Sequence, residues 1–229
     1  GTRFDMYYNS NLRNPNASYS DAGIGMWYVS KSLNHLDVSA GYLYDQIGSG
    51  IIFRAFETRP LFIDNALYGA RLKYNFNDNW NLMGFVGKQK NAFDFYTGNL
   101  KGLRLEGFIN TGTEDNPITL APGLGLVNKT LSDEYMNGVK DVIRTYQAQD
   151  KFIPKYNTYA ATIYNTLAYK GLNLYTEFAL KSNDVFYDPY IEKSELIGNN
   201  TLGKLVNASG TVAYVSASYS EGNLGITAE

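Results

Sequence analysis

The chain has 229 residues, which is enough for one β domain with a sizeable core. Tyr (20), Phe (12) and Gly (22) are abundant whereas Pro (6) is scarce, and this composition favours strands over helices. The net charge of −2, without runs of Lys or Arg, argues against a nucleic-acid partner, and the absence of Cys excludes thiolate metal sites, a Cys nucleophile and disulfides.

Apolar and polar residues alternate along most of the chain, and this period of two predicts strands. In chain order, the pattern predicts a strand at 2–9, hairpins at 22–46 and 68–88, single strands at 101–110 and 118–129, and hairpins at 155–184 and 210–229. These segments amount to eleven strands. In the hairpin at 68–88, Ala70, Leu72 and Tyr74 alternate with Arg71 and Lys73, so one face of the ribbon is apolar and the other is charged.

One helix is predicted, at 132–147. Ser132 suits the N-cap position, and Asp133 and Glu134 suit the positive end of a helix. The apolar stripe of this helix consists of Met136, Val139, Val142 and Ile143.

The connections between the predicted strands alternate strictly between short and long. Short connections lie near 34, 77–79, 111–117, 170 and 221, and long ones at 10–21, 46–67, 89–100, 130–155 and 183–208. Alternation places the tight turns on one rim and the long loops on the other, as in outer-membrane barrels. Tyr and Trp near both ends of the strands are typical of the aromatic girdles of such barrels.

These patterns predict an all-β fold, specifically a transmembrane antiparallel up-and-down β-barrel with one short helix in an external loop. The apolar rows then face lipid and the charged rows face the lumen. We expect residues 1–229 to form a single barrel domain that is truncated at both ends and belongs to a longer barrel, because single-chain bacterial barrels usually have an even number of strands. The predicted location is the outer membrane, with outer-membrane lipid as a partner.

Four stretches carry a resemblance to a known family. They are GSGIIFRAFETRPLFIDNALYGARLKY (48–74), GLGLVNKTLSDEYMN, KYNTYAATIYNTLAYKG and GTVAYVSASYSEGNLGITAE. With them the chain resembles an uncharacterised porin-like outer-membrane β-barrel family of Gram-negative bacteria. The resemblance covers nearly the whole chain and implies a longer barrel with strands beyond Glu229, but it implies no particular activity.

No catalytic or metal-binding constellation is predicted. His35 is the single histidine and lies in a predicted turn, where a base or ligand role is improbable, and no Ser has a partner His. We therefore expect neither an enzyme nor a cofactor or metal. The remaining candidates are the charges predicted to face the lumen, which are Arg71, Lys73, Arg104, Glu106, Glu177 and Lys181. They either set the ion preference of a channel or pair with one another in a filled interior.

The stretch IIFRAFETRPLFIDN (51–65) is too apolar for a solvated loop. One hypothesis is that it folds into the lumen or against the rim as a constriction, with Arg54, Glu57, Arg59 and Asp64 as its polar contacts. The alternative is a strand that continues past the membrane edge.

Three functions remain open at this point. The first is a pore or passive transport channel. The second is a non-conducting barrel that serves as a subunit or scaffold of a larger complex, with other outer-membrane or surface proteins docking on the helix. The third is a soluble carbohydrate-binding β protein in which Trp27, Trp80 and the many Tyr residues are stacking platforms.

Overall fold

A computed structural model describes residues 1–12, 14–193 and 201–229. The protein is all-β, with 72% of its residues in strands, and consists of one large antiparallel sheet and one α-helix. The sheet is not closed on itself.

The bounds of the elements follow from the backbone. The strands of the large sheet are β1 (Thr2–Ser10), β2 (Tyr19–Leu33), β3 (Leu36–Leu43), β8 (Leu67–Asn77), β9 (Trp80–Asn91), β10 (Asp94–Gly107), β11 (Ile109–Thr113), β12 (Asn116–Thr130), β13 (Asn157–Tyr169), β14 (Leu172–Lys193), β15 (Thr201–Glu221) and β16 (Leu224–Ala228). Four strands of two residues lie between β3 and β8, namely β4 (Asp45–Gln46), β5 (Arg54–Ala55), β6 (Glu57–Thr58) and β7 (Ile63–Asp64). The helix is α1 (Asp133–Arg144). The strand order of the large sheet is β1-β2-β3-β8-β9-β10-β12-β13-β14-β15-β16, with β11 continuing β10 along β12, so β1 and β16 are the edge strands.

The antiparallel meander agrees with the sequence pattern, because its main path from β1 to β16 has eleven strands and eleven are predicted. Two-residue turns join β2 to β3, β8 to β9 and β13 to β14, where the sequence predicts tight turns. Two of the predicted long loops are wrong. Residues 89–100 are almost entirely strand around a short turn at 92–93, and the described parts of 183–208 are strand as well, because β14 and β15 continue as a ribbon.

The predicted helix is confirmed. The Ser132 side chain accepts a hydrogen bond from the Tyr135 N–H, which caps the first turn. Val139 and Ile143 pack with Tyr146 and with Val185 of β14, whereas Val142 is exposed. The helix therefore lies against the extended part of the β14–β15 ribbon. Within the described ranges, no helix is long and apolar enough to cross a membrane.

The chain between β3 and β8, residues 44–66, does not continue a strand. It leaves the sheet after Leu43 and returns at Leu67, its direct cross-strand partner. In between it folds back onto one face of the sheet, where Ile47 and Phe53 join a buried cluster with Met83, Phe85 and Val127. We call this segment the β3–β8 connection, the sheet face that it covers the inner face, and the opposite one the outer face.

Candidate functional site

The inner face carries the charged side chains because apolar and charged residues alternate along these strands, and the charged ones point to this side. Cross-strand partners share a face, and the register aligns Lys73 with Met83, and Met83 with Arg104. A second row runs Asn75, Asn81, Glu106, Gly123, Tyr164 and Glu177 across six strands. The register places all six charged residues predicted to face a lumen on this inner face. They are Arg71, Lys73, Arg104, Glu106, Glu177 and Lys181.

Glycines in these rows make room for the β3–β8 connection. A Cβ atom on Gly125 would lie 2.2 Å from Cγ2 of Ile47, which is fully buried. A Cβ atom on Gly102 would lie 2.2 Å from the Phe85 ring, and Phe53 stacks on that ring with centroids 4.3 Å apart. The connection thus fits into space that the sheet leaves by omitting side chains.

The first charge cluster joins the connection to the middle of the sheet. Asp45 accepts hydrogen bonds from Arg71 Nη1 (2.7 Å) and Arg104 Nη1 (2.9 Å), so one carboxylate pairs with two guanidinium groups. Arg104 also donates to the Gln46 carbonyl oxygen (2.7 Å) and lies 3.1 Å from Glu106. Arg71 and Arg104 therefore bind the start of the connection.

Glu177 contacts Gly48 and Ser49 of the connection. Its side chain is 3% exposed and accepts hydrogen bonds from the Ser49 N–H (2.9 Å), the Thr162 hydroxyl (2.7 Å) and the Tyr175 hydroxyl (2.6 Å). Gly48 has a φ of +57° and lies so close to Glu177 that a Cβ atom would be 2.8 Å from Oε1. A buried carboxylate with three donors is satisfied as an anion, so this contact does not require a counter-ion.

A second charge cluster lies where β1 and β9 meet the end of the connection. Arg3 donates to Asp5 and, through two nitrogens, to both oxygens of Glu57 (2.8 and 3.0 Å). The buried ammonium of Lys90 donates to Asp64 and to the Gly25 carbonyl oxygen. The cluster fixes the second half of the connection to the first strand of the sheet.

The other predicted constriction residues are placed differently. Arg54 has its guanidinium over the Phe56 ring of its own connection, 4.4 Å from the centroid. Arg59 pairs with Glu57 and is 66% exposed. Glu57 and Asp64 thus contact the sheet, whereas the charged groups of Arg54 and Arg59 contact the connection itself.

Lys181 lies away from both clusters. Its ammonium is 3.6 Å from Asp184, which also accepts two hydrogen bonds from Lys129 (both 2.8 Å). Of the six sheet charges, Glu177 and Lys73 make no ion pair within the ranges that the structure describes, and of these two only Glu177 has the three hydrogen-bond donors described above.

Lys73 instead lines a polar cavity of about 460 Å³ next to the connection, on the side of the tight turns. The walls include Gly48 of the connection and four side chains of the second polar row, those of Asn75, Asn81, Glu106 and Tyr164. The lining side chains from the inner face are Lys73, Asn75, Asn81, Glu106, Tyr164, Thr166 and Tyr175.

Several residues of the site are not evident from the sequence. Alternation along the strands predicts that Tyr164 and Tyr175 lie on the same face as Glu177. Their hydrogen bonds, from Tyr164 to Glu106 (2.8 Å) and from Tyr175 to Glu177, have no signal in the sequence. Asp45, Ser49 and Gly125 are missed because their roles depend on where the connection folds. Among the described residues, no cluster of His, Asp and Glu could hold a metal ion.

Comparisons with known proteins give a family but no function. Neither the curated proteins nor the solved structures include a match to this chain. One family model, described as a family of unknown function (DUF6029), matches residues 1–229, so the chain belongs to that family.

Proposed function

We propose that the protein is an outer-membrane β-barrel that acts as a pore or passive transport channel, with the β3–β8 connection as its constriction. In this proposal the inner face lines the lumen, the outer face contacts acyl chains, and residues 1–229 form part of a barrel. The resemblance to porin-like barrels, stated above from four sequence stretches, agrees with this proposal.

The contrast between the two faces is the observation that carries the proposal. Leu72, Ile163 and Leu180 on the outer face are 52%, 60% and 48% exposed, whereas Glu177 on the inner face is 3% exposed. The exposed apolar side chains of the outer face, here called the apolar belt, are Leu72, Val86, Leu103, Leu124, Leu126, Ile163, Phe178, Leu180 and Val215. A continuous apolar surface of this kind marks contact with lipid or protein, and a lipid-facing barrel wall has this composition.

Aromatic residues border the apolar belt at both ends. At the tight turns, Tyr74 packs edge-on against Phe76, and the Trp80 ring covers Gly107. At the other end, the ring centroid of Tyr68 lies 4.9 Å from that of Tyr42 and 5.1 Å from that of Phe95. Two aromatic rims are expected where a barrel wall meets the two membrane interfaces.

Membrane insertion also requires the edges of the sheet to be paired. β1 and β16 each have one unpaired side, and unpaired backbone groups cost several kcal/mol each in hydrocarbon. In the proposal, further strands complete the cylinder.

A second function is favoured by the filling of the inner face. The connection is held by apolar packing, by Asp45, by Glu177 and by the Arg3–Glu57 pair, so it could remain in place permanently. The barrel would then be a non-conducting subunit or scaffold. A soluble carbohydrate-binding protein, the third function, would leave the apolar belt without a cover, and solubility without detergent tests it.

The connection can be removed without breaking the sheet, and this gives the experiment. Leu43 and Leu67 are cross-strand partners, so an Asn-Gly turn can replace residues 44–66 and keep the register of β3 and β8. We expect the variant to show larger single-channel conductance in planar bilayers than the wild type, because the constriction is gone.

The matched control shortens a connection whose described residues are all exposed. Ser10 and Tyr19 are also cross-strand partners, so Asn-Gly can replace residues 11–18. We expect this variant to conduct like the wild type. A folded wild type that is silent, together with a conducting 44–66 variant, would support the plugged scaffold, and silence of all three folded proteins would contradict the pore.

A further inference from the structure

We infer that the 460 Å³ cavity beside the β3–β8 connection is a binding site for a small neutral sugar of one or two rings. The inference deepens the proposed function, because it names the class of solute that pauses at the constriction. The volume falls within the range of roughly 300–1,000 Å³ that is usual for small-molecule sites.

The cavity offers hydrogen-bonding groups that the protein itself does not use. The Asn81 Oδ1 atom is buried and, within the described part of the chain, has no hydrogen-bond partner. Asn75 is its cross-strand neighbour, and the Lys73 ammonium lies one row away without an ion pair among the described residues. Buried polar groups normally have partners, so the Asn81 Oδ1 atom indicates a ligand that donates a hydrogen bond, and the partly exposed Asn75 and Lys73 side chains lie beside it.

The charges of the cavity favour a neutral ligand. Lys73 contributes one positive charge, and Glu106 and Asp78 contribute two negative charges. Glu106 already accepts a hydrogen bond from the Tyr164 hydroxyl group (2.8 Å) and lies 3.1 Å from Arg104, so it is not free to bind a cation. A single Lys beside two carboxylates attracts an anion weakly, whereas an Asn amide both donates and accepts, which is what a sugar hydroxyl requires.

The tyrosines supply the apolar part of a sugar site. The rings of Tyr164 and Tyr175 are 6.4 Å apart, with an angle of 33° between their planes, and both line the cavity. Their hydroxyl groups are held by Glu106 and Glu177, which fixes the rings in place. Tyr164 is 7% exposed, so the more accessible of the two rings is that of Tyr175, which can contact the C–H face of a sugar ring while the amides that line the same cavity bind its hydroxyls.

The test is isothermal titration calorimetry of the detergent-solubilised full chain with maltose and sucrose, and with glutamate and inorganic phosphate as anionic probes. We expect a sugar to bind and the two anions not to bind. The double variant Asn75→Ala/Asn81→Ala should bind the sugar about tenfold more weakly, because it loses two or more hydrogen bonds. Asn99→Ala, which removes an exposed amide from β10, should bind it like the wild type.

The variant Lys73→Met distinguishes binding of a neutral ligand from binding of an anion. We expect this variant to keep sugar binding within about twofold, because sugar hydroxyls do not need the charge. The inference is overturned if the folded wild type binds neither sugar, or if it binds glutamate or phosphate in a manner that Lys73→Met abolishes. If the protein binds a sugar but does not conduct, the sugar site is supported and the pore is contradicted. If the protein conducts but binds no sugar, the pore is supported and the sugar site is contradicted.

Discussion

At the scale of single residues, the inner face is shaped by side chains that are absent. Gly125 and Gly102 lie in strands whose alternation is visible in the sequence, so their side of the sheet can be predicted. Their purpose cannot, because it depends on Ile47 and Phe85 occupying the vacated space. A glycine in a strand indicates a close approach, but the approaching group comes from elsewhere in the chain.

Gly125→Ala should loosen the β3–β8 connection. The new Cβ atom would lie 2.2 Å from Ile47 and 3.0 Å from Thr162, and such overpacking costs about 1–3 kcal/mol. We expect faster proteolysis within residues 44–66 and a lower thermal midpoint. Gly84→Ala is the control, since its Cβ atom meets nothing closer than 3.7 Å. Equal behaviour of the two variants would contradict the fit described here.

Glu177→Gln should weaken the same contact from the polar side. Three donors converge on the Glu177 carboxylate, and a Gln amide presents its own N–H groups to one or more of them. We expect a loss of about 1.5–3 kcal/mol in the free energy of unfolding, as for a hydrogen bond to a charged group. Denaturant unfolding measures this, and Glu114→Gln in the exposed β11–β12 turn should cost almost nothing.

At the scale of elements, the helix and most strands are predictable, whereas strand lengths are not. α1 is predicted because its cap and stripe are local signals. The β14–β15 ribbon is missed because its described residues beyond Lys181 lack a strict alternation, and their strand form depends on cross-strand pairing such as Val185 with Asn207. The path of the β3–β8 connection is also non-local, because it is set by partners in β1, β8, β10 and β14.

A salt bridge at the base of the ribbon gives a pH-dependent prediction. Asp184, four residues beyond the apolar belt, is partly buried, which acts to raise its pKa. Hydrogen bonds from Lys129 and Thr158 and the charge of Lys129 outweigh burial, so the pKa of Asp184 lies below its ordinary value of 3.8. The stabilisation is therefore present above pH 3.8 and is lost as the pH falls through the lower folded-state pKa.

The measurement is the difference in thermal midpoint between the wild type and Asp184→Asn. We expect the wild type to be more stable at pH 7, and the difference to shrink below about pH 3.8. The two proteins differ only at residue 184, so the comparison isolates Asp184. A difference that stays constant down to pH 2 would contradict the assignment.

At the scale of the whole molecule, the sequence predicts which rows are apolar and which are charged. The sheet register places them on separate faces, as the alternation requires. What period two cannot provide is closure, since the same alternation occurs in open sheets and in cylinders. The membrane assignment therefore depends on how the apolar belt behaves in lipid.

Ile163→Lys should impair folding into lipid vesicles. Ile163 lies at the middle of β13 in the apolar belt, and Lys at the centre of a bilayer costs about 2–4 kcal/mol in a barrel wall. Tyr159→Lys, on the same face but near the end of β13, should cost at most about 1 kcal/mol. Folding into phosphatidylcholine vesicles, followed by gel mobility with and without heating, measures both. Equal folding of the two variants would contradict a lipid-facing belt.

The β3–β8 connection begins and ends at partners that already face each other across two strands, Leu43 and Leu67. The hairpins of the meander can therefore form before the β3–β8 connection docks on the inner face. Docking then has little further loop-closure entropy to lose. The pairing of β3 with β8 and the docking of the connection are for that reason separate steps, although the docked connection adds to the buried core. We expect a foreign peptide inserted between the same two leucines to replace the segment that covers the inner face and to leave the register of β3 and β8 unchanged, so this position suits engineered inserts.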